Sequence, residues 1–251
     1  MTALTTKHSL VIGGSRGIGR VIAMELAQAG QRVSVVGRRP LAEDFQPIPG
    51  MTAWAGDVSR FDAFLPVLEQ ILEKEGPPNH LIFCQRFRGQ DDRWEGEINT
   101  GLTATRNVIE HLRDRFAPEG DKSIVAISSI ASSLIAEEQP LGYHVAKAGL
   151  DQLVRYYAVT LGKLDIRVNG VRPGTTLKPE TQHFTLDNTQ LHGLYTSVIP
   201  LGRMGAAADV AQLVEFLCSP RSAFVTGQLI TVDGGASLVS QETLARKLKS
   251  L

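Results

Sequence analysis

Short aliphatic runs alternate along the chain with stretches of helical periodicity. Leu10 to Ile12, Arg32 to Val36, Met51 to Trp54, Leu81 to Cys84, Ser123 to Ile127, Ile166 to Val171 and Leu229 to Val232 read as seven strands. Between them lie helical patterns at Gly17 to Ala29, Phe61 to Lys74, Asn99 to Phe116, Leu141 to Leu161 and Ala208 to Leu217. In the first helix Ile18, Ile22 and Leu26 share a face, and Gly30 ends it. Gly76-Pro77-Pro78 stops the second.

Strands apolar on both faces, each followed by a helix, predict a parallel sheet covered on two sides. The pattern therefore gives an α/β chain folded as one doubly wound domain over residues 1–251. The one long irregular stretch, Thr175 to Leu201, is expected to be a substrate lid. Gln241 to Leu251 has the pattern of a basic amphipathic helix that either packs on a neighbouring subunit or is solvated.

Composition narrows the picture. The 251 residues are 43% hydrophobic and 21% charged, ordinary values for a globular chain. Lys plus Arg number 26 and Asp plus Glu 26, so no basic excess points to nucleic acid. No apolar run approaches the ~20 residues of a membrane span, so no membrane partner is expected. The first residues carry no stretch apolar enough for a signal peptide, which makes a reducing cytoplasm the default expectation. Cys84 and Cys218 lie far apart in apolar runs and read as buried thiols; with no Cys/His cluster, no metal is expected.

Chemistry enters after the first strand. Residues 12–19 read IGGSRGIG, with Gly13, Gly17 and Gly19 spaced G-x3-G-x-G between a strand and a helix. Glycines there let backbone approach a pyrophosphate, and the helix start supplies free N–H groups and partial positive charge. The second strand ends in Gly37-Arg38-Arg39, with no acid to take a ribose 2′-hydroxyl. Arg38, with Arg16 in the glycine turn, suits a 2′-phosphate and hence NADP(H).

Tyr143 and Lys147 form Y-x3-K at the start of a helix, on one face. An ammonium beside a phenol stabilises the phenolate, which makes the pair a proton donor and acceptor. The fifth strand runs into Ser128-Ser129, at the sheet edge where open α/β folds bind ligands.

Together these motifs resemble the short-chain dehydrogenase/reductase family, in particular members like 3-oxoacyl carrier-protein reductase. The likeness rests on GGSRGIG at 13–19, GDV at 56–58, Asn99 in EINTGL, ISS at 127–129, YHVAK at 143–147, VNGVRPG at 168–174 and VTGQLITVDGG at 225–235. The resemblance implies a Rossmann-type fold and hydride transfer between NADP(H) and a small carbonyl or alcohol substrate. It makes Tyr143 the general acid of ketone reduction. Lys147 would lower its pKa and hold the nicotinamide ribose, Ser129 would orient the carbonyl, and Asn99 would hold a water behind Lys147. Gly13, Ser15, Arg16, Gly17, Ile18, Gly19, Arg38 and Arg39 would bind the phosphates, and Asp57 and Val58 would flank the adenine. Pro173, Gly174 and Thr176 would lie beside the nicotinamide. The resemblance also implies a homo-oligomer, tetramer or dimer, formed through the two long helices.

The chain departs from the family pattern in four places. Ile12 replaces a threonine before the first glycine, and residues 83–86, Phe-Cys-Gln-Arg, replace Asn-Asn-Ala-Gly. In the family those two elements touch, so the changes read as one coordinated replacement. Arg86 then contacts phosphate, faces a substrate acid, or obstructs the site. Ser129 and Tyr143 stand one residue further apart than usual, with Ser132 the nearer alternative. The hydroxyl that normally follows Pro-Gly is displaced, with Lys178-Pro179 in its place. His144 is expected to be structural, Trp94 to pack in the core, and His183, Phe184 and His192 are weak substrate contacts in the lid. These departures leave an alternative, a dinucleotide-binding sensor or scaffold without turnover.

Overall fold

A computed structural model describes residues 6–38, 48–89, 92–180 and 182–249. Seven strands form one parallel sheet: β1 (His8–Ile12), β2 (Arg32–Gly37), β3 (Met51–Ala55), β4 (His80–Phe83), β5 (Lys122–Ile127), β6 (Ile166–Pro173) and, after two short strands named below, β9 (Leu229–Val232). Their spatial order is β3-β2-β1-β4-β5-β6-β9. The order reverses between β1 and β4, which opens a crevice at the C-terminal ends of these two strands, where such sheets take ligands.

The sheet is buried on both sides because its strands alternate between two apolar layers. Leu10 and Ile12 face α2 (Phe61–Glu75), α4 (Ala104–Leu112) and α5 (Leu141–Thr160), packing with Phe64, Leu68, Val108 and Val154. Val11, Val33 and Val35 face α1 (Gly17–Gln28) and α8 (Ala207–Leu217), packing with Ile22, Leu26, Val210 and Val214. All seven predicted strands and their covering helices are present.

Two elements differ from expectation. The helix predicted over Asn99 to Phe116 is broken. A short α3 (Arg93–Ile98) begins earlier, Asn99–Thr103 is a π turn, and α4 ends at Leu112. The Asp92 carboxylate caps α3 by accepting from the Trp94 and Glu95 amides, a start signal just upstream of the periodic run. Trp94 itself is half exposed rather than core, since α3 and α5 approach so closely at Gly142 that a Cβ there would lie 2.9 Å from the Trp94 backbone.

The stretch from Thr175 to Leu201 is not irregular. It carries β7 (Thr176–Leu177), paired with β8 (Gly205–Ala206), then α6 (Gln182–Asp187) and α7 (Thr189–Val198). Asn188 caps α7 through the Leu191 amide. The basic tail forms α9 (Gln241–Lys249), whose Lys247 ammonium donates to the Ser197 carbonyl at the end of α7. Among the described residues no helix is long and apolar enough to cross a membrane.

Candidate active site

The crevice is one continuous cavity of about 670 Å³, within the range of small-molecule and cofactor sites. It starts at the glycine turn. Gly13 and Gly17 have positive φ, +82° and +58°. A Cβ on Gly13 would lie 2.5 Å from the Gln85 amide nitrogen, and one on Gly19 2.4 Å from the Gly13 carbonyl oxygen. The turn can close against β4 only with glycines at these positions. Ser15, Arg16, Gly17, Ile18 and Gly19 line the cavity, with Gly37 and Arg38 from the end of β2 and Asp57 and Val58 beyond β3. One Asp57 carboxylate oxygen accepts from the Ser59 amide and hydroxyl at 3.0 and 2.6 Å, which fixes the side chain. Arg39 lies outside the described residues.

The first α1 amide is engaged. Gly17 N–H donates to a Glu180 carboxylate oxygen at 2.8 Å, across 163 residues of sequence. A carboxylate thus stands where helix dipole and free amides favour an anion. The helix start accepts an anionic group, and the glycine backbone, Arg16 and Arg38 fit the phosphate-rich end of a dinucleotide. Glu180, just after Lys178-Pro179, is a feature that pattern reading of the lid missed.

The other end of the cavity holds Ser129, Tyr143, Lys147, Pro173, Gly174 and Thr176. Ser129 follows β5 in extended backbone, and its Oγ accepts from the Ala131 amide at 3.2 Å, which leaves the hydroxyl proton free to donate. Ser132 is absent from the cavity wall, and its hydroxyl is buried without a partner among the described residues. Lys147 is buried, and its ammonium donates to the Ile127 carbonyl at 2.7 Å and lies 5.7 Å from the Tyr143 ring centroid. Burial pulls Lys147 down to about 8, partly offset by the nearby Glu97 carboxylate. The Tyr143 ring is 9% exposed, and no group among the described residues bonds its hydroxyl.

The Pro173–Gly174 turn is held from two sides. Arg172 donates to the buried Asp151 carboxylate of α5 at 2.8 and 2.5 Å. The Gly174 amide donates to the Val232 carbonyl at 3.0 Å, and a Cβ on Gly174 would come 2.6 Å from Asp233. The Thr176 hydroxyl donates to the Gly174 carbonyl at 3.0 Å. The displaced hydroxyl therefore still reaches the cavity, but as a turn clip.

The replaced motifs fit each other. Ile12 and Phe83 are register partners on β1 and β4, both at most 2% exposed and in one core cluster. Apolar packing fills this junction, and the backbone link persists as Cys84 N–H donating to the Ile12 carbonyl at 2.8 Å. Gln85 takes up the polar work, its amide donating to Thr105 Oγ1 at 2.8 Å and the Thr100 carbonyl at 3.3 Å. Arg86 reaches the tyrosine end of the cavity. Its guanidinium lies 4.5 Å from the Tyr143 ring centroid and donates to the Gln139 side-chain oxygen.

Asn99 does not join this group. Its amide donates to Glu95 at 3.3 Å, one turn back on the exposed side of α3, and it is absent from the cavity wall. The π turn begins at Asn99, and Thr100 is the residue of that turn facing the cavity. Nor do His183 and His192 line it. His144 is structural: one ring nitrogen accepts from the Ala136 amide and the other lies 3.0 Å from the Pro140 carbonyl. Burial pushes both thiols, Cys84 and Cys218, up to about 12, and no metal-ligand cluster exists among the described residues.

Such a cavity, running from a glycine turn to a serine, tyrosine and lysine at the carboxyl edge of a doubly wound sheet, defines a nicotinamide-dependent oxidoreductase class. A family model described as enoyl-(acyl carrier protein) reductase matches residues 12–237. The 3-oxoacyl-[acyl-carrier-protein] reductase of Thermotoga maritima is 29% identical over 245 residues, covering 92% of this chain and 98% of the relative. A short-chain type dehydrogenase/reductase from Mycobacterium ulcerans superposes with TM-score 0.80 at 30% identity, covering 92% of this chain and 90% of that one. The Pseudomonas aeruginosa RhlG structure, an NADP active-site complex, gives TM-score 0.79 at 27% identity, covering 93% and 97%. The chain belongs to the short-chain dehydrogenase/reductase family, whose members use a nicotinamide dinucleotide to interconvert carbonyl and alcohol groups in small molecules.

Proposed function

We propose that the protein is an NADP(H)-dependent oxidoreductase that interconverts a ketone and a secondary alcohol, with Tyr143 as general acid and base. The observation that carries this reading is the placement of Tyr143 and Lys147 in the same cavity as the glycine turn and Arg38. The bound cofactor supplies or accepts the hydride. Tyr143 gives its hydroxyl proton to the substrate oxygen in reduction and recovers it in oxidation. Ser129 donates its free hydroxyl proton to the same oxygen and fixes the carbonyl. Lys147 provides a buried positive charge behind the ring, pinned by the Ile127 carbonyl. The Asn99 side chain turns back to Glu95, so the Ile127 carbonyl is the group that holds the Lys147 ammonium in place.

Arg16, Gly17 and the turn amides hold the pyrophosphate, and Arg38 with Arg16 favours a 2′-phosphate, since β2 ends without an acid. Asp57 and Val58 flank the adenine, and Pro173, Gly174 and Thr176 the nicotinamide. Residues 175–201 act as the substrate lid. Exposed Tyr156 and Val159 on α5, 58% and 79% accessible, support a homo-oligomer through the long helices. Reduction in the cytoplasm is the working direction and place.

The test is an absorbance assay with NADPH and with NADH against a panel of ketones that includes acetoacetyl thioesters and keto sugars. The reading requires NADPH consumption with at least one ketone, and slower turnover with NADH. Cofactor binding without turnover across the panel would instead indicate a sensor.

A further inference from the structure

Arg86 has no part in the chemistry above, yet its guanidinium stacks on the ring that carries the proton. Its one side-chain hydrogen-bond partner among the described residues is Gln139, a neutral amide. Its Nε is buried with no hydrogen-bond partner among the described residues. Arginine is charged at any working pH, and a buried donor left unmatched is costly unless an anion meets it. Glu97, whose charge Arg86 feels, is itself buried, and burial pushes its carboxyl up, which weakens it as a counter-charge. Lys147 adds a second cation on the same ring, and Lys178 and Arg88 stand further along the wall. The phosphate end is already furnished by the Gly17 amide, Arg16 and Arg38. The charge at the tyrosine end therefore has no cofactor group to answer it.

Resting on the oxidoreductase reading, we infer that Arg86 and Gln139 form the subsite for a substrate carboxylate, so that the ketone reduced is a short oxo acid with its carboxylate a few bonds from the carbonyl. The planar guanidinium suits a carboxylate in two-point contact, and it sits 4.5 Å from the centroid of the Tyr143 ring. Gln139, in the loop before α5, orients the fork.

The test is calorimetric binding of four- to eight-carbon 2-oxo and 3-oxo acids and their methyl esters, with and without NADP⁺, so that no reduction can occur. In the wild-type protein the best acid binds at least tenfold more tightly than its ester. Arg86→Ala weakens that acid by about 10- to 100-fold and the ester by less than twofold. Arg86→Lys, which keeps charge but not the fork, falls between. The inference is overturned if no acid binds more tightly than its ester, or if Arg86→Ala weakens acid and ester equally. It is also overturned if Arg86→Ala weakens only NADP⁺, which would give the residue to the cofactor. Failure of the oxidoreductase reading looks different: acids bind through Arg86, yet NADPH is not consumed. The wild-type comparison of acid with ester decides the matter even if Arg86→Ala does not fold.

Discussion

Glu180 and Gly17 are joined by a 2.8 Å hydrogen bond from backbone amide to carboxylate, at the one helix start where a dinucleotide phosphate would seat. The carboxylate satisfies a free amide and complements the helix dipole. A phosphate must displace it. Glu180→Ala is expected to tighten NADPH binding roughly 2- to 10-fold, the worth of one net hydrogen bond. Fluorescence titration reads this directly, and weaker binding in the variant would mean that Glu180 supports the cofactor rather than competing with it.

Arg38 directly follows β2, whose last residues, Val36 and Gly37, include no acid. If it meets a 2′-phosphate, Arg38→Ala weakens NADPH by about 10-fold or more and leaves NADH within twofold. Dissociation constants for the two nucleotides decide the point; equal losses would remove the argument for NADP(H).

Lys147 couples activity to pH. Burial lowers its ammonium to about 8, so the positive charge behind Tyr143 is present below that value and is lost as pH rises through it. Reduction should decline on the alkaline side with an apparent pKa near 8. Lys147→Arg, charged at all these pH values, should lose that limb while Lys147→Met should be slow throughout. Stability moves the other way. The unfolded chain binds more protons between about 8 and 10.4, so this residue makes the fold more stable as pH rises across that window.

At the opposite end of the sheet, His8 and His80 are fully buried among Ser34, Ser9 and Gly76, at 2.9 Å in each case. Burial lowers both pKa values, so the folded state keeps the rings neutral while the unfolded chain protonates near 6.5. Stability is therefore full above about pH 6.5 and falls as pH drops below it. The thermal midpoint should fall between pH 7.5 and 5.5. His8→Gln should flatten that slope, and an unchanged slope would show that the His8 ring does not contribute to it.

Much of this was legible in the chain. Alternating strands and helices define the sheet because each strand must be apolar on both faces, and the glycine turn is constrained because a Cβ on Gly19 would come within 2.4 Å of the Gly13 carbonyl oxygen. Ser129, Tyr143 and Lys147 converge because strand end and helix start meet at one sheet edge. What stayed hidden is what depends on side-chain direction. Asn99 has the expected residue type near the expected place, but the π turn starts there and its amide turns back to Glu95. Trp94 looks like core by type, yet α3 packs on α5 through backbone at Gly142. The contact of Glu180 with Gly17 spans too much sequence for any local pattern to register. The pairing of Ile12 with Phe83 was suggested by their joint departure from the family, and the strand register gives the physical reason.

The central claim is that the Tyr143 phenol moves the proton. Tyr143→Phe removes one oxygen and keeps the buried ring, the Arg86 stack and the cavity wall. With any ketone the wild type reduces, kcat should fall by 10²- to 10⁴-fold while NADPH affinity stays within about twofold. A variant that keeps its rate would contradict the account, because the proton would then come from another group.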